Sequence, residues 1–233
     1  MKKHKNHVIK ESQALRIFSQ LLDVNKEWNL LQEYCVLKDN GLKKAWKKKI
    51  DEFREYIFGR PLENQILFVS WFKKTLYENK DLEVVNNYKI ENEIVKPVLD
   101  LWMKNEPNNS EPYRWLGTLE SLRKAIEIDE NEVISKDLIL NKVIFQVKMS
   151  QHELEQFFHL GNPSEELDLL NFVMPFINIY GREKQIELLD EVNARIFITE
   201  IWMELETAEK NPIGKFPQWV EKHYPEFEYE KYV

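Results

Sequence analysis

Glycine is scarce in this chain, with 6 in 233 residues. Phosphate-cradling loops and β-rich folds both draw freely on its conformational freedom, so the scarcity leans toward helices. Cys35 is the single cysteine. No disulfide can form within the chain, which fits a reducing compartment. No run approaches the roughly 20 apolar residues of a membrane span. The basic opening Met-Lys-Lys-His-Lys-Asn-His is not followed by the apolar stretch of a secretory signal, and the expected location is the cytoplasm. Arginine is also sparse, 7 against 26 lysines, a bias typical of AT-rich bacterial genomes. A Gly-rich phosphate loop, a nucleophile elbow and a paired Cys-x-x-Cys are all missing.

What is present describes a folded chain. Hydrophobic residues make up 43% and aromatics 12%, enough for a sizeable core in one large domain or two small ones. The net charge of −7 is divided unevenly. Residues 1–80 hold 17 Lys/Arg and 10 Asp/Glu, a balance of +7, while residues 81–233 hold 16 and 30, a balance of −14. Such a division can mark two surfaces with different partners or two halves that attract one another.

Apolar residues recur at helical spacing along most of the chain, and glycine and proline fall where the period breaks. A first helix is expected from Ser12 to Leu37, with a break near Val24 and Asn25. Leu42 to Phe58 is the clearest amphipathic segment, with Leu42, Ala45, Trp46, Ile50, Phe53 and Ile57 on its apolar arc. Leu62–Tyr77 and Glu91–Lys104 follow, separated by a linker over 79–90. Beyond Pro107 and Pro112 the expected helices are Tyr113–Ile128, Asn131–Val147, Gln151–Leu160, one starting at Ser164 and kinked at Pro175, and Arg182–Ala208. Val143–Val147 is β-branched enough to read as strand, but its surroundings favour helix. Ile186, Leu189, Val192, Ile196, Trp202 and Leu205 form the predicted core face of the long helix. Residues 215–233 are rich in aromatics and read as a short helix and tail. Gly214 and Pro212 mark its start.

Two prolines and three asparagines between Asn105 and Pro112 cannot continue a helix. They place the expected boundary between a basic part, 1–106, and an acidic part, 107–233. Just beyond it, Tyr113-Arg-Trp-Leu-Gly117 followed by Ala125-Ile-Glu-Ile-Asp-Glu-Asn131 resembles the tetratricopeptide repeat. In that family a helix carrying Trp, Leu and Gly precedes a helix ending in Ala-Leu-Glu-Leu-Asp-Pro-Asn. Here Gly117 and Ala125 stand closer than in the repeat, Glu130 replaces proline, and no second copy recurs at the family's period of about 34 residues. The resemblance implies antiparallel helical hairpins stacked as an irregular right-handed superhelix or bundle, and a concave surface for a peptide or protein.

Four groups of residues invite chemistry. Lys43, Lys44, Lys47 and Lys48 cover the side of their helix opposite Trp46, Ile50 and Phe53, a face suited to phosphates or an acidic partner. Lys47–Asp51 and Lys48–Glu52 are spaced to pair, and Lys49 falls in the apolar arc, where it would snorkel. His152, Glu155 and His159 share a helix face, but the histidines lie about two turns, roughly 10 Å, apart, too far to grip one ion easily. Cys35 sits among apolar neighbours as a buried thiol. Glu187/Glu191 and Glu200/Glu204 have helical spacing but read as solvated faces. Trp46, Trp115 and Trp202 fit helix-packing anchors.

These residues predict an all-α, non-catalytic scaffold of about nine or ten helices that binds a protein or peptide. It would regulate or neutralise one dedicated partner, with no metal and no cofactor. The alternative is a nucleic-acid-associated accessory protein using the Lys43–Lys49 face.

Overall fold

The computed structural model describes residues 2–23, 26–156, 158–208 and 215–232. Val24, Asn25, Pro212 and Gly214, where the sequence suggested helix breaks, lie outside them. Among the described residues every regular element is helical and no strand occurs, so the fold is all-α. The chain forms two compact units, Met1–Leu116 and Gly117–Val233.

In the first unit α1 (Lys2–Leu22) leads through a 3₁₀ turn (Lys26–Trp28) into α2 (Asn29–Asp39), α3 (Lys43–Phe58) and α4 (Leu62–Glu78). The α2–α3 turn needs Gly41, whose φ is +70°. Leu42 N–H bonds to Leu37 O and Gly41 N–H to Lys38 O, both at 3.0 Å, the paired bonds of a Schellman motif. The expected linker 79–90 is structured instead. Lys80–Val85 forms a 3₁₀ turn that buries Leu82 and Val85, because residues three apart share a face at that period. Asn87 then caps the next helix, its Oδ1 accepting from the Lys89 and Ile90 amides.

That helix starts earlier than expected. It runs from α5 (Tyr88–Ile90) through a π turn (Glu91–Val95) into α6 (Lys96–Asn105). In the π turn the Lys96 N–H reaches back to Glu91 O. The widened turn accommodates Pro97, which has no N–H and whose ring would crowd a preceding carbonyl in a regular helix. α7 (Ser110–Leu116) was expected in the second part but packs on α4 and α6. Trp115 Nε1 donates to Glu111 Oε1 at 3.0 Å, Ser70 Oγ on α4 donates to the same oxygen, and the Trp115 ring meets Tyr77. The division between units therefore falls ten residues after the expected one. It lies at Gly117, φ +71°, and the repeat-like phrase has its Trp115 in one unit and its Ala125 in the other.

The core of this unit is built on rings. Phe68 contacts Trp28, Phe53 and Phe72 with centroids 5.1–5.6 Å apart, and Phe18 meets Phe72 edge-on at 5.7 Å. Ring pairs at these separations add to the burial term, which is about 1.5–3 kcal/mol for each fully buried large apolar side chain.

In the second unit Thr118 and Ser121 form a capping box for α8 (Leu119–Ile128), followed by α9 (Val133–Ser150). The strand-like run 143–147 is helical. Val143 and Val147, four apart, are buried, whereas Phe145 is exposed, so the 3.6-residue period decides over β-propensity. α10 (Pro163–Val173) is capped by Asn162 rather than Ser164, with the Asn162 Oδ1 accepting from the Ser164 and Glu165 amides. At Pro175 the α-helix gives way to a 3₁₀ stretch, Met174–Ile179. α11 (Arg182–Ala208) and α12 (Phe216–His223) complete the set, and a 3₁₀ turn (Tyr229–Lys231) ends the tail.

Of the predicted core face of α11, Val192, Trp202 and Leu205 are buried, Ile196 packs at the core edge, and Ile186 and Leu189 are exposed. Leu188 takes their place. Two apolar clusters result. One gathers residues of α8 to α11 around Val143 and Val192. The other joins Ile201, Trp202 and Leu205 of α11 to Phe216, Trp219, Val220 and Tyr229.

Candidate functional site

α3 begins outside the core. Ile50, Phe53 and Ile57 are buried as expected, but Leu42 is 51% exposed, Ala45 is exposed and Trp46 is half-buried. Lys43, Lys44, Lys47 and Lys48 are therefore all in solvent. Lys48 pairs loosely with Glu52 at 3.7 Å. The anticipated Lys47–Asp51 pair does not form, because Asp51 is taken by Lys89 at 2.6 Å. Lys47 instead lies over the Trp46 ring, 5.9 Å from its centroid. Lys49 snorkels out of the apolar arc to Glu33 and Glu52, at 2.8 and 2.7 Å, and these two carboxylates hold its pKa above the ordinary lysine value.

Several other basic side chains of this unit find carboxylates. Arg16 meets Asp39, Lys38 meets Glu11, Arg54 meets Glu93 and Lys73 meets Glu91, each at 2.7–3.2 Å. Among the described residues Lys43, Lys44 and Lys47 have no such partner. Three unpaired positive charges thus stand together on the first turns of α3, beside an exposed leucine.

His152, Glu155 and His159 do not share a helix face, because among the described residues of 151–160 the only helical piece is a 3₁₀ stretch, Leu154–Gln156, after a turn at 151–153. His152 is exposed and faces Glu153. His159 folds inward instead, and its side chain is 3% exposed. Its Nε2 stands 3.2 Å from Glu166 Oε2 on α10, an ion-pair distance whose angle falls short of a hydrogen bond. Its ring stacks on Trp202, and its Nδ1 lies 3.2 Å from Gly161 O. Ser150 Oγ donates to the other carboxylate oxygen, Oε1. Burial works against the imidazolium, but Glu166 and the Gly161 carbonyl outweigh it and raise the His159 pKa above its ordinary value. Serine and histidine thus address opposite oxygens of one buried carboxylate, so the imidazole is not placed to take the hydroxyl proton, as a nucleophile and its base require. Among the described residues no group of three His, Cys, Asp or Glu could hold a metal ion.

Cys35 is fully buried, and burial pushes its thiol up to about 12, with Lys38 opposing. Such a thiol is inert as a nucleophile. The carboxylate pairs are used singly. Glu187 meets Lys184, Glu191 meets Arg195, and Glu204 accepts from Tyr224 Oη. Trp115 and Trp202 are buried anchors.

Sequence reasoning missed two features of the second unit. The first is a buried polar network. Arg195 is 1% exposed, and it donates from Nε to Glu191 Oε1 at 2.8 Å, from Nη1 to Gln151 Oε1 at 3.0 Å, and from Nη2 to the Tyr232 carbonyl. Gln151 Nε2 closes the ring onto Arg195 O and Thr199 Oγ1. The second is a cleft of about 580 Å³ between α11 and the tail, lined by Phe197, Tyr224, Phe227, Tyr232, Asp190 and Glu226 among others. The aromatic richness of 215–233 was the signal for it, but the α11 wall, 27 or more residues earlier, could not be paired with that signal in advance.

Comparison of the chain with protein-family models, with curated proteins and with solved structures gives no match.

Proposed function

We propose that this chain is a non-catalytic helical binding protein whose first unit docks an acidic segment of a dedicated partner protein on Lys43, Lys44, Lys47 and Lys48. The observation that carries the reading is the cluster of three lysines without carboxylate partners on the exposed start of α3, in a unit where most of the other described basic side chains pair with a carboxylate. Unpaired like charges on one face raise the local concentration of an opposite charge and speed its arrival. The exposed Leu42 at the head of the same turn favours a protein over a nucleic acid, since an apolar contact beside charges is typical of protein interfaces. Binding there would regulate or neutralise the partner.

Exchanging Lys43, Lys44 and Lys47 for Glu tests the reading, because none of the three supports the fold through an ion pair. In a tagged capture from native lysate, the wild-type chain is expected to retain a protein that resists nuclease and that the triple variant loses. Capture that disappears with nuclease assigns the face to nucleic acid instead. Equal capture by both chains sinks the assignment of the face.

A further inference from the structure

The cleft of the second unit differs in sign from the lysine face and stands independently of it. We propose that this cleft binds a lysine-bearing basic segment of a partner protein, one ammonium group taking the place beside Asp190 and the Tyr232 ring that the chain's own Lys231 holds.

The walls are aromatic and preformed. Phe197 of α11 meets Tyr224 at 5.2 Å and Phe227 at 4.7 Å, both near edge-on, and Phe227 stacks on Tyr232 at 5.6 Å. The tail that carries three of these rings is fixed at both ends. Tyr224 Oη donates to Glu204, and the Tyr232 carbonyl accepts from buried Arg195. A cleft already ordered before binding spares its ligand the entropy of ordering it.

Lys231 shows which ligand chemistry fits. Its ammonium lies 2.7 Å from Asp190 Oδ2, 3.0 Å from Tyr232 Oη and 4.9 Å from the Tyr232 ring centroid. Tyr232 Oη donates in turn to Asp190 Oδ1 at 3.0 Å. A carboxylate and a ring face together make the usual seat for an ammonium. Lys231 and Asp190 are each about half exposed, at 52% and 50%. Ion pairs so open to water contribute little to stability, so a second ammonium can replace the first at small cost to the fold.

The surroundings call for a segment rather than a single cation. A second depression of about 450 Å³ shares Pro225 and Phe227 with the cleft and carries Glu221, Glu228 and Glu230. Residues 117–233 hold 12 Lys/Arg against 23 Asp/Glu, a balance of −11. A chain of basic residues laid from one depression to the other would meet opposite charge along its length.

Fluorescence anisotropy with a short labelled peptide of alternating lysine and alanine tests this on the full chain, with its glutamate and acetyl-lysine counterparts for comparison. The lysine peptide alone is expected to bind. Asn193→Trp adds bulk at an exposed position on the cleft wall and is expected to weaken binding about tenfold. Asp190→Asn is expected to weaken it about fivefold. Lys231→Gln empties the seat and is expected to tighten it about threefold. Glu127→Gln removes an equal charge from exposed α8, outside both depressions, and is expected to change nothing. Absence of binding by the wild-type chain overturns the proposal, as does equal binding by Asn193→Trp, or a Glu127→Gln effect as large as that of Asp190→Asn. Circular dichroism of each variant separates loss of the site from loss of the fold, and the lysine-face variants are expected to behave as wild type.

Discussion

Residues 2–116 fill their interior with rings packed around Phe68, edge-on against Trp28 and Phe53 and stacked on Phe72, and their ion pairs stay near the surface. Residues 117–232 also have apolar clusters, but beside them they bury charged or titratable side chains, those of Arg195, Glu132, Glu166 and His159, where the described buried polar residues of the first unit are the neutral Gln65 and Thr75. An apolar interior tolerates local loss in proportion to volume removed. A buried polar network fails when any member loses its partner, because the group left behind is desolvated and unsatisfied. The first unit should therefore respond to size, and the second to chemistry at nearly constant size.

The largest effect belongs to the ring core. Phe68→Ala deletes the side chain that touches Trp28, Phe53 and Phe72 and should destabilise the first unit by about 3–5 kcal/mol. Cys35 reports it directly. The native thiol is fully buried, with its pKa pushed up to about 12, so a disulfide-exchange reagent should label it only when the unit opens. Labelling in the variant no faster than in wild type would contradict the size-dominated picture.

Next is Arg195→Met, nearly equal in volume. It leaves Gln151 Oε1, Glu191 and the Tyr232 carbonyl without their donor, at an expected cost of about 3 kcal/mol. Hydrogen exchange should rise in α11 and the tail while Cys35 labelling stays slow. A cost as small as that of an ordinary apolar swap would erase the contrast between the units.

Gly161→Ala is smaller but sharper. A Cβ there falls well inside contact distance of Glu166 Oε1 and 3.1 Å from Ser150 Cβ. The carboxylate must leave Ser150 or the loop must shift, a cost of about 1–3 kcal/mol. Urea titration followed by exchange at α9 and α10 measures it, and a neutral result would mean that the Ser150–Glu166 bond is dispensable.

How far these features could be read in advance follows from their range along the chain. The all-α class, the bounds of α11 and the exposure of Lys43, Lys44, Lys47 and Lys48 rest on local period and on glycine and proline, and were legible, whereas the helix expected over 151–160 does not occur among the described residues and the one expected over 113–128 is divided at Gly117. The π turn that admits Pro97 was not legible, since nothing in Glu91–Val95 departs from helical pattern. Ile186 and Leu189 fit the period of α11 but are exposed, because the buried stripe runs instead through Leu188, Val192, Arg195, Thr199 and Trp202. Nothing local in the sequence marks Arg195. Its partners Gln151 and Tyr232 lie 44 and 37 residues away, and only the fold joins them. His159 and Glu166 are seven apart in sequence, but a glycine at 161 marks only a break in helical period and does not show that the chain folds back there.

That fold-back produces the smallest expected effect, a change of slope with pH. The groups facing His159 are Glu166, with Ser150 on its far oxygen, the Gly161 carbonyl, the Trp202 ring and, at longer range, Glu206. Burial lowers the imidazole pKa, but Glu166 and the carbonyl raise it more, and the folded value stands above the unfolded value of about 6.5. A group shifted in this direction stabilises the fold fully below its unfolded pKa, and that contribution fades as pH rises through the folded pKa. The second unit of the wild-type chain should thus resist urea better at about pH 6 than at about pH 8, read by exchange at α10 and α11. His159→Gln should flatten this difference while leaving Cys35 labelling in the first unit unchanged. An equal difference in the variant would place the responsible group elsewhere and return the second unit to the size-governed behaviour of the first.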